Sequence, residues 1–225
     1  MENIEVGFLS SEWWYGCSDP VEMLKFLHGK YELDTKPPGS ALDRKLRLFA
    51  AGTCRQVWHL YEHEVYRQAV EIAEQFADDE ISLSKLTSAY YLLKEDRPYP
   101  KDDEAQKAYA AYWDARQCCS SSALSAAKEV LCYPRSCKAS IYTDLLRCVM
   151  GNPFSVPAWQ GAWCTADVNT VARCIYRGRR WSELYVLADA LEEAGCTERD
   201  ILDHLRGPDL HVRGCWVVDL VPGKS

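Results

Sequence analysis

The sequence predicts an all-α protein, built as an irregular multi-helix bundle of roughly eight to ten helices with no fixed-period repeat. Apolar residues recur every three to four positions along most of the 225-residue chain, which is the spacing of an amphipathic helix. Ser, Thr or Asp often precedes these segments, and glycine often follows them, as at helix termini. The only segment with the composition of a strand, CWVVDLV at 215–221, is too short to form a sheet alone.

The first predicted helix begins after Asp19. This residue is placed as an N-cap, Pro20 suits the first helical position, and Glu22 completes a capping box. Gly29 suits the end of the helix, because glycine readily adopts the backbone conformation found just after a C-terminus.

Three more helices are predicted in the first half of the chain, over residues 40–61, 64–79 and 82–96. The break near Glu62 is expected from length, since no Gly or Pro marks it. The charged, proline-containing stretch near 96–103 is the best internal boundary. We therefore expect a single helical domain over 1–225, with a possible division there into 1–96 and 104–225.

The second half is also predicted to be helical. Residues 104–131 are rich in alanine and form one helix or two, with a possible split near Ser120–Ser122. A Pro, Gly and aromatic loop is expected at 151–163, between a helix at 140–150 and a helix capped by Thr165. Ser182 and Thr197 are placed as the caps of the last two helices, which end at glycines.

Composition excludes several classes of function. The net charge of −7, without a run of five basic residues, argues against general nucleic-acid binding, which requires basic surface to neutralise phosphates. No apolar stretch approaches the length of a membrane span, so no membrane association is expected. The eleven cysteines are odd in number, and no signal-peptide pattern precedes them. We therefore expect a cytoplasmic protein with reduced thiols.

One candidate metal site is found near the C-terminus. Cys196, His204, His211 and Cys215 have the residue types of a Cys2His2 zinc site, although their spacing matches no zinc finger. The alternative is structural: Cys196 lies in a turn, His204 at a helix end and Cys215 in the core. The structural alternative is favoured, so the sequence alone assigns no metal.

Two other constellations have structural explanations. His59 and His63 have helical i, i+4 spacing, but Arg55 and Arg67 flank them, and cations repel a metal ion. The pairs Arg206-Gly207 and Arg213-Gly214 suit a phosphate or carboxylate ligand, but they suit a helix end and a turn better. We find no nucleophile elbow, dinucleotide fingerprint or phosphate loop, and therefore predict no catalytic residue and no cofactor.

Four segments resemble a large family of uncharacterised bacterial proteins. They are SEWWYGCSDPVEMLKFLHGK, DRKLRLFAAGTCRQVWHL, GNPFSVPAW and the long C-terminal segment that ends in HVRGCWVVDLVPGK. Members share a W-x-x-C-x-D-P-x-x-M-L-x-F-L start and an R-G-C-W-V-V-D end. The chain departs from the pattern at Thr53, where a second cysteine is expected, and at Pro222. The resemblance implies no reaction or ligand, but it suggests an accessory or interaction role by analogy.

Two hypotheses of function follow from the sequence. The first is a non-enzymatic module that binds another protein, since the chain is acidic, rich in Trp and Tyr and free of catalytic motifs. Its contact surface would include Trp13, Trp14 and Trp159. The second is a metal- or thiol-dependent enzyme or sensor that uses the C-terminal His and Cys residues. Both hypotheses leave the oligomeric state open.

Overall fold

Helices alone form the regular secondary structure of the described part of the chain, and the prediction of an all-α fold is confirmed. The computed structural model describes residues 9–93, 101–132, 138–155 and 157–221, in which there are twelve α-helices and no strand. The helices are α1 (Ser11–Gly16), α2 (Pro20–Tyr31), α3 (Ala41–Gln56), α4 (Glu64–Ala77), α5 (Leu83–Leu92), α6 (Asp103–Cys118), α7 (Ala123–Cys132), α8 (Ala139–Met150), α9 (Ala166–Gly178), α10 (Leu184–Glu193), α11 (Arg199–Arg206) and α12 (Trp216–Leu220).

The centre of the bundle is α3, which packs against α4, α6, α7 and α8. Every residue of this helix from Leu46 to Cys54 is buried, so it has neighbours on all sides. Small residues in the Ala50–Thr53 stretch give those neighbours room to approach closely. A buried helix of this kind requires the surrounding helices to supply the solvent-facing surface.

The C-terminal helices pack against one another and reach this bundle through the last helix. Helix α10 packs against both α9 and α11, and the short α12 packs against α8 and α11. Val217 and Val218 of α12 are buried in the hydrophobic core. The last helix therefore links the C-terminal layer to α8 in the central bundle.

Several local predictions are confirmed. Asp19 caps α2 by accepting hydrogen bonds from the backbone N–H groups of Val21 and Glu22. Thr165 caps α9 in the same way. The break near Glu62 lies between the end of α3 and the start of α4, and the split near Ser120–Ser122 separates α6 from α7.

Other predictions need correction. Gly29 does not end α2, which continues to Tyr31. The strand-like composition of 215–221 is misleading, because this segment forms α12, with Val217, Val218 and Asp219 buried. The N-caps of α10 and α11 are Glu183 and Glu198 rather than Ser182 and Thr197. The short helices α1 and α12 raise the number of helices in the described residues to twelve, above the predicted eight to ten.

The possible domain boundary near 96–103 lies largely outside the described residues, which resume at 101. Helices on its two sides pack directly together, since α4 contacts α6 and α3 contacts α7. One hydrophobic cluster extends from Trp14 to Val221. In the described ranges, no helix has both the length and the apolar character needed to cross a bilayer.

Candidate metal centre

Four metal-ligating side chains converge where α8, α11 and α12 meet. They are Cys148 on α8, His204 in the last turn of α11, His211 in the following loop and Cys215 at the N-cap of α12. One donor atom from each lies within 4.8 Å of the donor atoms of the others. Three of the predicted candidates are therefore brought together, and Cys148 completes the set.

The individual distances are short. Nε2 of His204 lies 3.3 Å from Sγ of Cys215. Nδ1 of His211 lies 3.8 Å from Sγ of Cys215 and 3.9 Å from Sγ of Cys148. Around a tetrahedral zinc ion with ordinary Zn–S and Zn–N bonds, neighbouring donors lie about 3.3–3.8 Å apart. The measured distances are close to this range.

The loop between α11 and α12 positions two of the four side chains. Helix α11 ends at Arg206, the N–H of its C-cap residue Gly207 donates to the carbonyl of Asp203, and Pro208 prevents the helix from continuing. Before Cys215 the backbone turns at Gly214, which has a φ of +86°. The N–H of Cys215 donates to the carbonyl of Val212 and closes this turn. The turn places His211 and Cys215 beside each other.

Cys148 is positioned by the end of α8. It lies on the buried face of this helix, next to Val149, and is 1% exposed. The helix ends at Gly151, where the indole of Trp216 packs so closely that a Cβ atom would lie 3.1 Å from its Cγ. This close approach holds the start of α12 against α8 and brings Cys215 to Cys148.

The electrostatics favour a thiolate at Cys215. Burial raises the pKa of this thiol, but hydrogen bonding from Cys148 and the nearby His204 together lower the pKa well below its usual value. The hydrogen bond with Cys215 and burial raise the pKa of Cys148 well above its usual value. Burial lowers the pKa of His204, but Cys215 outweighs this effect and the net pKa is raised. Metal binding requires both thiols to be deprotonated. The lowered pKa of Cys215 already favours the deprotonated form of that thiol.

One carboxylate lies near the outer side of His204, and one buried ring nitrogen of His211 faces away from the cysteines. Oδ2 of Asp209 lies 4.0 Å from Nδ1 of His204, on the side of the ring away from Cys215. This distance is too long for the hydrogen bond by which carboxylates orient metal-binding histidines, so Asp209 contributes negative charge near the ring rather than a fixed orientation. Nε2 of His211 is buried and has no hydrogen-bond partner within the described part of the chain.

A cavity of about 440 Å³ opens beside the cluster. Cys148 and His204 form part of its wall, whereas His211 and Cys215 do not. Its other lining residues are Tyr15, Asp144, Arg147, Asp200, Asp203, Asp209 and Trp216. The cavity therefore touches one thiol and one imidazole of the cluster and is lined mainly by carboxylates and aromatic rings.

Cys196 does not belong to the donor group. It lies in the turn after α10, where its N–H donates to the carbonyl of Leu191, and its side chain is buried. The structural alternative considered for this residue therefore describes its position. Cys148 could not be chosen from the sequence, because it is 56 positions before His204 and resembles any buried cysteine on an apolar helix face.

The other two candidate groups from the sequence form no site: the two histidines are separated, and the two arginines lie beside carboxylates. His59 lies in a 3₁₀ turn and His63 at the N-cap of α4, so the two are not on one helix. Arg206 pairs with Asp189 and Glu192 on the surface. Arg213 lies 3.5 Å from Asp78.

The three tryptophans suggested as a contact surface differ in burial. Trp14 is completely buried and is therefore a core residue rather than a contact residue. Trp13 and Trp159 are partly buried, and they pack edge-on against Phe26 and Trp163. Binding of another protein stays a prediction from composition.

No family model, curated protein or solved structure matches this chain.

Proposed function

We propose that this protein binds one zinc ion through Cys148, His204, His211 and Cys215. The observation that carries the proposal is the convergence of the four donor atoms within 4.8 Å of one another. Residues from α8, α11, the loop and α12 supply them, so the arrangement depends on tertiary structure and not on a local sequence motif.

The donor set favours zinc over the hard cations. Two thiolates and two imidazoles are borderline-soft ligands that suit zinc, whereas magnesium and calcium prefer carboxylate, carbonyl and water oxygens. Three of the six donor–donor distances, at 3.3, 3.8 and 3.9 Å, also suit the tetrahedral geometry that zinc adopts with such ligands.

The proposed role of the ion is structural. Four protein ligands fill a tetrahedral zinc site, whereas catalytic zinc usually keeps a position for water or substrate. The ion would join α8 of the central bundle to the segment that contains α11 and α12. Because the binding free energy of a structural metal contributes to folding, this link would stabilise the C-terminal layer.

A thiol-dependent enzyme is less well supported. Cys215 is the thiol with the lowered pKa, but its side chain is completely buried and does not reach the cavity wall. A nucleophilic cysteine must be accessible to its substrate. The Cys215–His204 pair is therefore better suited to hold a metal than to attack a substrate.

Metal content and cobalt spectroscopy test the proposal. Purified protein should contain about one zinc per chain, and cobalt replacement should give the absorption bands of tetrahedral thiolate coordination. Cys148→Ser and His204→Asn should each lose most of the zinc and alter the cobalt spectrum. Circular dichroism checks that each variant remains helical.

Matched control variants are available. Cys196→Ser replaces another buried cysteine, and His59→Asn replaces an exposed histidine, both outside the donor group. Both should retain the full zinc content. Wild-type protein without bound zinc after zinc loading, or equal zinc content in Cys148→Ser and Cys196→Ser, would contradict the proposal.

A further inference from the structure

We infer that the acidic cavity beside the cluster is the route by which the metal ion enters and leaves its buried site. This inference rests on the proposed zinc site and concerns how that site is loaded. The cavity contributes a solvent-connected path, and its carboxylates contribute a negative potential along it.

The placement of the four donors gives this path a direction. Cys148 and His204 form part of the cavity wall. Of the four donors, His204 is the most exposed, whereas Cys148, His211 and Cys215 are 1%, 8% and 0% exposed. An ion that arrives from the cavity therefore meets the imidazole of His204 first and reaches the more buried donors after it.

The charge of the cavity is strongly unbalanced. Four aspartates and one arginine line it. The guanidinium of Arg147 is already occupied, because it lies 3.2 Å from Asp144 and donates to the backbone carbonyls of Trp14 and Cys17. The remaining carboxylates, at Asp200, Asp203 and Asp209, belong to exposed residues. The single charge of Arg147 therefore offsets only part of the charge of the four carboxylates.

The field of these carboxylates extends across the cavity. Burial raises the pKa of Tyr15, the nearby charges of Asp200 and Asp209 raise it further, and the charge of Arg147 partly offsets them. On the α3 side of the cluster, the charge of Arg44 is balanced by its ion pair with Asp219. A cation is therefore drawn toward the cluster from the cavity, where the carboxylates outnumber the basic side chains.

A cleft lined by charges of one sign concentrates counterions and raises association rates by about 10- to 1000-fold. Salt weakens this effect, because the Debye length falls from about 30 Å at 0.01 M to about 8 Å at 0.15 M ionic strength. Zinc association that uses the cavity should therefore be fast at low ionic strength and should slow as salt is added.

The test is stopped-flow mixing of chelator-stripped full-length protein with zinc ions, with a zinc-responsive fluorescent indicator that reports the free ion. The cavity variant is Asp200→Asn with Asp203→Asn, which removes two charges and leaves all four donors in place. The control is Asp167→Asn with Glu193→Gln, which changes net charge equally at exposed residues outside the cavity.

We expect the cavity variant to bind zinc with the wild-type stoichiometry. Its association rate at low ionic strength should be lower than that of the wild type by roughly fivefold or more, because electrostatic steering is lost. The difference should shrink at high salt, and the control should match the wild type. Equal association rates in the cavity variant and the control would overturn the entry route while leaving the zinc site intact. Failure of wild-type protein to take up zinc would overturn the zinc site itself and this inference with it.

Discussion

Asp219 of α12 and Arg44 of α3 form a buried ion pair that fastens the last helix to the central one. Nη1 and Nη2 of Arg44 lie 2.5 Å and 3.1 Å from the two carboxylate oxygens of Asp219. The Asp219 side chain is completely buried, and that of Arg44 is 8% exposed. The same guanidinium also contacts Asp78 and the hydroxyl of Tyr176. Helices α3, α9 and α12 are thereby connected through one arginine.

Asp219→Asn should destabilise the protein by about 2–3 kcal/mol, because it removes a charged hydrogen-bond partner and leaves the buried Arg44 with Asp78 as its remaining carboxylate. Urea unfolding followed by circular dichroism measures the change. The control is Asp189→Asn, which breaks a surface pair with Arg206 and should leave the unfolding midpoint almost unchanged. Similar unfolding midpoints for the two variants would show that the buried pair stabilises the protein no more than the surface pair does.

Glu74 should make stability depend on pH in the acidic range. Burial raises the pKa of Glu74, but hydrogen bonds from Arg55 and Arg179 outweigh burial and give a net lowering. A carboxylate with a lowered folded-state pKa stabilises the fold above its unfolded pKa, and this contribution is lost as pH falls through the folded pKa. Glu74→Gln should therefore cost about 2–3 kcal/mol at neutral pH and progressively less below about pH 4.

The control for this prediction is Glu71→Gln. Glu71 lies 3.6 Å from the same Arg55, but its side chain is 49% exposed. Its loss should change the free energy of unfolding little at any pH, since exposed pairs contribute little. If the free energies of unfolding of wild type and Glu74→Gln differed by the same amount from neutral to acidic pH, Glu74 would not be the source of the pH dependence.

The sequence could predict the helical fold because its local signals agree with one another. Asp19 and Thr165 cap helices where the capping pattern places them, and the breaks near Glu62 and Ser120–Ser122 lie between helices. The identity of α12 could not be predicted, since a β-branched apolar segment adopts helix when tertiary contacts favour it. Its burial against α8 supplies those contacts.

Only part of the candidate site was accessible from sequence. His204, His211 and Cys215 stand within twelve positions of each other and attract notice as a group. Cys148 comes from another helix, and nothing local separates it from the other buried cysteines. Cys196 is near in sequence but faces a different turn. Sequence proximity therefore selected one wrong cysteine, because the site depends on how α8 packs against the C-terminal segment.

Asp114 should destabilise the folded protein at neutral pH. Both of its carboxylate oxygens are buried without a hydrogen-bond partner within the described ranges. Burial, and then the nearby Cys54, raise the pKa of Asp114 well above its usual value. The folded protein therefore favours the protonated form of Asp114. In the unfolded chain this carboxyl has a pKa of about 3.9. The free energy of unfolding should decrease as the pH rises from that value toward the higher pKa of the folded state.

Asp114→Leu should accordingly raise the free energy of unfolding by about 1–3 kcal/mol at pH 7, because it removes an unpaired buried polar group. The gain should shrink as the pH approaches about 4. Asp103→Leu, at the exposed start of the same helix, is the control and should give no such gain. Denaturant unfolding at several pH values measures both. A destabilised Asp114→Leu protein at pH 7 would refute the prediction.

Removal of the metal should loosen the C-terminal layer before the rest of the protein. A ligand that binds only the folded state at 1000 times its Kd stabilises that state by about 4 kcal/mol. Zinc-loaded protein should therefore melt several degrees above chelator-treated protein, and hydrogen exchange should increase chiefly at residues 204–215 after chelation. Cys148→Ser should show no zinc-dependent change in Tm. A uniform rise in exchange across all helices would argue against a local link.

Gly214→Ala should weaken zinc binding by displacing Cys215. Gly214 has a φ of +86°, and a Cβ atom there would lie 2.8 Å from Cδ1 of Leu48 on α3. The substitution therefore adds a steric clash to the cost of a left-handed backbone, which is about 1–2 kcal/mol for a residue with a side chain. Relief of the clash requires the turn to move, and Cys215 is the next residue.

The matched control for this last prediction is Gly195→Ala. Gly195 has a φ of +90°, but a Cβ atom there would have nothing within 4 Å. Both variants should lose stability through the backbone, whereas only Gly214→Ala should lose zinc affinity, by roughly tenfold or more, since a shift of one ligand disturbs the tetrahedral set. Competition with a chelator of known affinity measures the change. Equal zinc affinity in the two variants would mean that the turn at Gly214 does not position Cys215 for the metal.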